Sequence, residues 1–232
     1  MRAMLLAAGL GTRLRPLTDT IPKCLVSIKG QALLGIWLER LSQAGIGPFL
    51  VNTHYLSERV QTFVAASPYR DQVTLVYEDK LRGTAGTLIS NLDYFEGQDG
   101  LLIHADNYSL ADFDGFLQAH QRRPTGCLMT MMTFRSDTPS SCGIVKLDAR
   151  GVVVDFHEKV ANPPGNLANG AVYLLSAELL QTLASELSGV VDFSTEVLKK
   201  LIGQIYTYET KEIFLDIGTP ESYELANSPH SN

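Results

Sequence analysis

The sequence predicts an α/β protein with a doubly wound, mostly parallel central sheet and a smaller mixed-strand lobe. Three observations predict it. Strand-like and helix-like segments alternate with short links from the N-terminus to His104, as right-handed βαβ crossovers require. The first strand is a continuous apolar run, the pattern of a strand buried on both faces. Beyond about residue 125 the alternation gives way to a longer strand and a hairpin.

In chain order, Ala3–Ala8 is that first strand, and Leu34, Trp37, Leu38 and Leu41 follow at helical spacing. Phe49-Leu50-Val51 predicts a second strand, and Leu56, Val60, Phe63 and Val64 mark a second amphipathic helix. Val73–Tyr77 reads as a third strand, Gly86–Leu92 as a helix and Leu101–His104 as a fourth strand. In the second half Cys127–Phe134 is a long strand. Gly143–Leu147 and Val152–Phe156 form a hairpin turning on Asp148-Ala149-Arg150-Gly151, and Ala171–Leu175 is a further strand. Helices are expected near Ala177–Leu183 and Ser194–Leu201. Thr219-Pro220-Glu221 opens a last helix with a capping hydroxyl, a proline at the first position and an acid in the first turn. Without a repeat, a low-complexity segment or a linker, residues 1–227 read as one domain followed by a tail at 228–232.

Composition narrows the function. A chain of 232 residues, 45% of them hydrophobic, should bury roughly 70% of its unfolded surface, which excludes disordered, collagen-like and coiled-coil classes. No apolar run approaches the ~18 residues of a membrane span. Met1–Ala8 has too short an apolar part for a leader and runs straight into Gly9, Gly11, Arg13 and Arg15. It is read as a strand, and a cytoplasmic location is expected. The net charge of −6 argues against a nucleic-acid surface, but a local basic cluster can still bind a small anion. Cys24, Cys127 and Cys142 form no close pair, and the five histidines show no HxH or HExxH spacing. A disulfide framework and a histidine-ligated metal are therefore not expected.

The densest signal follows the first strand: Ala7-Ala8-Gly9-Leu10-Gly11-Thr12-Arg13-Leu14-Arg15-Pro16-Leu17-Thr18, then Pro22-Lys23. Glycines after a buried strand let the backbone approach a ligand, and successive N–H groups can cradle phosphate oxygens. Arg13, Arg15 and Lys23 add charge suited to a polyphosphate. The spacing is neither GxGxxG, because position 14 is Leu, nor GxxxxGK[ST]. Asp106 lies just beyond the fourth strand, where α/β sheets place ligand chemistry; alone, it better suits the cap of a helix or a turn with Asn107 and Ser109.

Residues 8–23 resemble the opening signature of the sugar-1-phosphate nucleotidyltransferases, or nucleotide-sugar pyrophosphorylases. That signature is a Gly- or Ala-rich loop ending in GTR-L-x-P-x-T, with P-K some ten residues later. Further family elements occur in order: Gly83-Thr84-Ala85-Gly86, Asp106, Glu158-Lys159, Asn169-Gly170-Ala171-Val172-Tyr173 and Asp216-Ile217-Gly218-Thr219-Pro220-Glu221. The resemblance spans about residues 2–226. It implies a Rossmann-like, GT-A-like fold, with about 1–125 a nucleotide-binding half and about 126–227 a sugar-binding half. It also implies a reaction of NTP and sugar 1-phosphate to NDP-sugar and pyrophosphate. The attacking phosphate oxygen is already ionised, so no general base is needed. The enzyme must instead offset repulsion between two anions and stabilise the leaving pyrophosphate.

By resemblance, Arg13 holds the β- and γ-phosphates beside the backbone of Ala7, Ala8, Gly9, Gly11 and Thr12, and Lys23 contacts the α-phosphate most strongly in the transition state. Asp106 and Asp216 would bind one Mg²⁺. Where the family often has Gly before this Asp, Ala105 stands here. Lys159 is assigned to the sugar phosphate and Glu158 to sugar hydroxyls, with Asn107, Gly143, Asn169 and Gly170 as further sugar-phosphate contacts. Gly83, Thr84 and Ala85 belong to base selection, together with Glu78. A carboxylate can accept both N1–H and N2–H₂ of guanine, whereas uracil and thymine offer one N–H flanked by carbonyls. Glu78 therefore leans towards GTP, although a surface turn explains it as well. The Gly83–Gly86 run resembles mannose-1-phosphate guanylyltransferases.

The expected partners are GTP with mannose 1-phosphate or a manno-heptose 1-phosphate, and neither nucleic acid nor membrane. The alternatives are a uridylyl- or thymidylyltransferase, or a non-catalytic regulatory homologue. The last should have lost Arg13, Lys23, Asp106 or Asp216, and all four are present. The chain ends soon after the last helix, so no appended β-helix and a single activity are expected.

Overall fold

The computed structural model describes residues 1–186 and 189–229; of the tail, residues 230–232 lie outside the described residues. In chain order the chain forms β1 (Arg2–Leu6), β2 (Ser27–Ile28), β3 (Gln31–Ala32), α1 (Leu33–Gln43), β4 (Phe49–Thr53), α2 (Ser57–Ala66) and β5 (Val73–Tyr77). There follow α3 (Gly83–Ile89), β6 (Gly100–His104), β7 (Asn107–Ser109), α4 (Phe113–Gln121), β8 (Met129–Arg135), β9 (Gly143–Leu147), β10 (Val153–Glu158) and β11 (Leu167–Leu175). The C-terminal part holds α5 (Ala177–Glu186), a π-helical turn at Phe193–Val197 continued by α6 (Leu198–Lys200), β12 (Ile205–Glu209), β13 (Phe214–Asp216) and α7 (Pro220–Asn227). No helix among the described residues is long and apolar enough to cross a membrane.

The contacts divide this α/β chain into two compact units, neither contiguous in sequence. One comprises Met1–Leu81, Ile103–Ala111 and Glu212–Asn232, the other Arg82–Leu102 and Asp112–Lys211. The contact division thus does not fall near residue 125, and the segment carrying Asp216 groups with the N-terminal strands.

In the first unit β5, β4 and β1 run parallel, with Phe49 opposite both Ala3 and Val73. Ala3, Met4, Leu5, Phe49 and Val51 are fully buried, which is why β1 from Ala3 and β4 up to Val51 are continuous apolar runs, whereas β5 is only partly covered. The apolar stripe of α1, with Leu34, Trp37, Leu38 and Leu41, is buried as its spacing requires. A short antiparallel ladder joins β7 to β13, with Asn107 opposite Asp216. Its three-residue strands are too short to show a period, and the sequence reading contains neither. At α7 the Thr219 hydroxyl accepts from the Ser222 N–H and the Ser222 hydroxyl answers at the cap, a reciprocal capping box.

In the second unit β8 pairs with β11 antiparallel and with β12 parallel, while β9 and β10 form the expected hairpin. Its turn closes through Gly151 N–H to the Asp148 carbonyl. Two elements here lie outside the sequence reading, β12 and α4. The latter is capped by Asp112 Oδ1, which accepts from Gly115 N–H at 3.0 Å.

Beneath β8, His120 of α4 is 2% exposed. Its Nδ1 lies 2.8 Å from Thr130 Oγ1 and its Nε2 3.5 Å from Asp99 Oδ2. Burial and the Arg123 charge outweigh Asp99 and push His120 down to about 4. Between pH ~6.5 and ~4 the unfolded chain therefore takes up a proton that the folded chain does not, and stability falls with pH by up to about 3 kcal/mol. Urea midpoints measured from pH 7.5 to 4.5 should show this slope, and His120→Gln should flatten it.

Candidate functional site

The first unit builds a charged cluster at the carboxyl ends of its strands. β1 ends at Leu6, and the Ala7 N–H donates to Asn52 Oδ1 at 2.7 Å, which ties the loop to β4. Gly11 then takes φ +64°, and a Cβ there would lie 2.9 Å from Thr18 Cγ2, so the turn needs glycine both for its backbone and for its space. The Thr18 hydroxyl donates to the Gly11 carbonyl at 2.7 Å. Gly9 has open space around it, and Thr12 and Arg13 are exposed. Three short 3₁₀ turns carry the chain back across the strand ends to Lys23.

Lys23 is the centre of the cluster. Its side chain is 8% exposed, and Nζ lies 2.6 Å from Asp106 Oδ2 and 3.6 Å from Asp216 Oδ1. Arg13 Nη2 stands 3.9 Å from Asp216 Oδ2, with both side chains more than half exposed. Asp106 follows β6 and Asp216 ends β13. The β7–β13 ladder and an N–H from Ile217 to the Asp106 carbonyl hold the two together. α1 braces this segment: Trp37 Nε1 donates to the Asn107 carbonyl at 2.8 Å, and Arg40 Nη2 donates to the Leu110 and Ala111 carbonyls.

Burial works to raise the Asp106 carboxyl, but the Lys23 charge, with His104 and the Lys23 hydrogen bond, holds it below the usual carboxylate range. Cys24, beside Lys23, is buried and its thiol is pushed up to about 12, so it brings no charge to the cluster. Among the described residues no set of three or more His, Cys, Asp or Glu groups converges on one point. The hard-oxygen donors here are therefore two carboxylates.

Glu78 is neither an open carboxylate nor part of a surface turn. It is 1% exposed, its Oε1 accepts from Asn52 Nδ2 at 3.1 Å, and its carbonyl lies 2.7 Å from His54 Nδ1. Asn52 thus links Glu78 to the Ala7 N–H, and Glu78 here braces the loop. Ala7 and Ala8 are buried, and the Ala7 N–H is engaged. Asn107 is buried as well, with Nδ2 3.5 Å from the His104 carbonyl.

The second unit gathers the remaining residues. Gly83 opens α3 at φ +77°, where a Cβ would lie 2.4 Å from the Val191 carbonyl oxygen. The Thr84 hydroxyl accepts from Phe193 N–H at 2.7 Å, and Ala85 N–H donates to the Val191 carbonyl. These three residues hold the 191–193 segment, and α3 starts three residues before the expected Gly86. Asp192 caps the π-helical turn through Thr195, the structural role its sequence context suggests.

Ala168 stands opposite Ile144, so Gly143 and Asn169 occupy neighbouring register positions. A Cβ on Gly143 would lie 2.6 Å from Glu158 Oε2, so the missing side chain leaves room for that carboxylate. Lys159 is 66% exposed, with Nζ 3.5 Å from Glu158 Oε1. Its backbone is left-handed at φ +50°, as is Ala171 at +52°, each at a cost of about 1–2 kcal/mol. Gly170 lies between Asn169 and that strained Ala171. Asn169 spends its amide locally: Oδ1 accepts from Ala171 N–H, and Nδ2 donates to the Tyr173 hydroxyl at 2.8 Å. Burial pushes the Tyr173 hydroxyl upward, so it stays protonated.

A family model for nucleotidyl transferases matches residues 2–231. The chain belongs to that family. It is similar to the mannose-1-phosphate guanylyltransferase catalytic subunit beta of Danio rerio, 28% identical over 96% of this chain. It is equally similar to a glucose-1-phosphate adenylyltransferase of Desulfitobacterium hafniense, 28% identical over 97%. The chain spans 62–63% of the length of these curated relatives. Among solved structures, HddC from Yersinia pseudotuberculosis complexed with GMP-PN superposes with a TM-score of 0.81 at 25% identity, covering 97% of each chain.

Within this member of the family, the first cluster sets two cationic side chains against two carboxylates. An exposed guanidinium can fork onto phosphate oxygens, while a buried ammonium acts as a point charge. The sequence reading gave no bracing role to Asn52, Trp37, Arg40, Thr18 or Tyr173, although Thr18 and Tyr173 lie within its motifs. Trp37 is the sole tryptophan, but its place in an apolar stripe marks it as core, and nothing local signals its bond to Asn107.

Proposed function

We propose that this chain transfers a nucleotidyl group from an NTP to a sugar 1-phosphate, releasing pyrophosphate. The observation that carries the reading is the convergence of Asp106 and Asp216 on the buried Lys23 ammonium, with Arg13 beside Asp216, in a chain of this family. Arg13 and the open backbone at Gly9 and Thr12 take the β- and γ-phosphates. Lys23 meets the α-phosphate as its bonds rearrange, where a fixed charge in a buried setting counts for most. The sugar phosphate attacks in line; in the second unit, Lys159 has the charge to hold a phosphate and Glu158 the carboxylate to accept from a hydroxyl.

The two carboxylates fit a Mg²⁺ ion. Their donors are hard oxygens sharing one cation, and their two negative charges cancel Arg13 and Lys23. Without further positive charge the cluster has no net attraction for a triphosphate. Asp106 and Asp216 would hold the ion, which when bound withdraws charge from the phosphoryl oxygens.

We further propose GTP with mannose 1-phosphate, or a related manno-heptose 1-phosphate, as the substrate pair. The guanylyltransferase name of the Danio rerio relative and the GMP-PN in HddC support it; Glu78 does not, since its carboxylate is turned into the unit. The adenylyltransferase relative favours a second pair, ATP with glucose 1-phosphate. Three free thiols suit a reducing compartment, and the cytoplasm is the proposed location.

The test is pyrophosphate release with Mg²⁺ for GTP, UTP, dTTP, CTP and ATP crossed with mannose, glucose, N-acetylglucosamine, N-acetylmuramic acid and heptose 1-phosphates. GTP with a manno-configured sugar should dominate. Preference for another pair replaces the substrate assignment, and silence from folded protein that still binds nucleotide points to a regulatory homologue.

A further inference from the structure

The Lys23 ammonium occupies a position that a bridging cation would need. Its Nζ lies 2.6 Å from Asp106 Oδ2 and 3.6 Å from Asp216 Oδ1, so it takes up one oxygen of each carboxylate. An ion bound to one oxygen of each Asp at the short distances of Mg²⁺ coordination would share that space with a positive charge. The Lys23 side chain is 8% exposed and cannot simply swing into water. Once Asp106 is withdrawn from it, the ammonium needs another anion. Arg13 differs: it lies 3.9 Å from Asp216 alone and is 66% exposed.

Resting on the Mg²⁺ reading above, we propose that Lys23 is the resident counter-ion of the Asp106–Asp216 pair and is exchanged for a divalent cation. The Lys23–Asp106 ion pair and cation binding are then mutually exclusive. Lys23 keeps the two carboxylates together and neutralised in the free protein. It gives up Asp106 as the cation is taken up, and its ammonium is released to meet phosphate. The exchange couples the two substrate-side events: a freed, buried ammonium favours nucleotide, and a nucleotide phosphate that accepts Lys23 favours the cation. By linkage each strengthens the other by the same factor.

The experiment measures Mn²⁺ affinity without nucleotide, by electron paramagnetic resonance at constant ionic strength, in the intact protein and in Lys23→Met, Arg13→Met and Asp106→Asn. Lys23→Met should bind Mn²⁺ more tightly by roughly tenfold or more, the ordinary size of such a coupling. Arg13→Met removes the same charge without vacating the position and should change affinity far less. In the unmodified protein the Lys23 ammonium resonance should move on adding Mg²⁺ alone, a readout that does not depend on any variant folding. Unchanged or weaker Mn²⁺ binding by folded Lys23→Met, or a Lys23 resonance unmoved at saturating Mg²⁺, overturns the exchange. Equal affinity in the intact protein and Lys23→Met, abolished by Asp106→Asn, overturns the exchange alone. Absence of Mn²⁺ binding in all four proteins overturns the metal reading itself.

Discussion

Replacing Asp106 or Asp216 with alanine is expected to lower kcat on the order of 10³-fold, because each substitution removes half of the carboxylate pair proposed to hold the ion. Loss of that ion forfeits several kcal/mol of transition-state charge stabilisation. Both variants should remain folded. The carboxylates stand at strand ends with 42% and 52% of their side chains exposed, and the β7–β13 ladder that carries them is made by backbone. The two should nevertheless differ in stability. Asp106 is the nearer partner of buried Lys23, so Asp106→Ala leaves an ammonium with Asp216 only. Asp216→Ala leaves the 2.6 Å pair intact. Removing one partner of a buried ion pair is the damaging change, so Asp106→Ala should melt at the lower temperature. Steady-state kinetics with Mg²⁺ and thermal melts by circular dichroism check both statements. Near-normal Mg²⁺-dependent turnover in either variant would remove that residue from the site.

Lys23→Ala is expected to lower kcat by about 10²–10³, with a smaller rise in KM for nucleotide, as for the loss of a preorganised donor aimed at developing charge. In the free protein the ammonium is engaged by Asp106 and Asp216; once the cation displaces it, part of its contact is already made to bound nucleotide, which gives the rise in KM. The contact tightens as charge builds on the α-phosphate, and the part made only in the transition state appears in kcat. Arg13→Ala should show the opposite balance, because an exposed guanidinium is free to hold phosphate in the ground state. Single-turnover and steady-state rates at saturating nucleotide separate the cases. A Lys23→Ala effect confined to KM would make Lys23 a ground-state anchor.

Much of this molecule follows from neighbours in the chain. The apolar run from Ala3 makes the buried strand β1, which ends at Leu6 two residues before the expected Ala8, Thr219-Pro220 starts α7, and the Asp148–Gly151 turn closes its hairpin through bonds within four residues. Those features depend on local backbone preference and on which faces are apolar, and both are written residue by residue. The charged motif was legible for a similar reason. Glycines, an arginine and a lysine after a buried strand carry their chemistry wherever the chain places them.

What only the tertiary structure decided is which of those groups remain available. Lys23 reads as a phosphate contact, yet it is buried against a carboxylate 83 positions away. Glu78 reads as an open acceptor and instead closes a bridge through Asn52 to the Ala7 N–H. The Thr84 hydroxyl is taken by Phe193 and the Asn169 amide by its own strand and Tyr173. The sequence by itself determined the strands, the caps and the chemical kinds of the site residues. The partners of those residues were decided by segments that meet only after folding, because a buried polar group must be satisfied by whatever packing brings within hydrogen-bond reach.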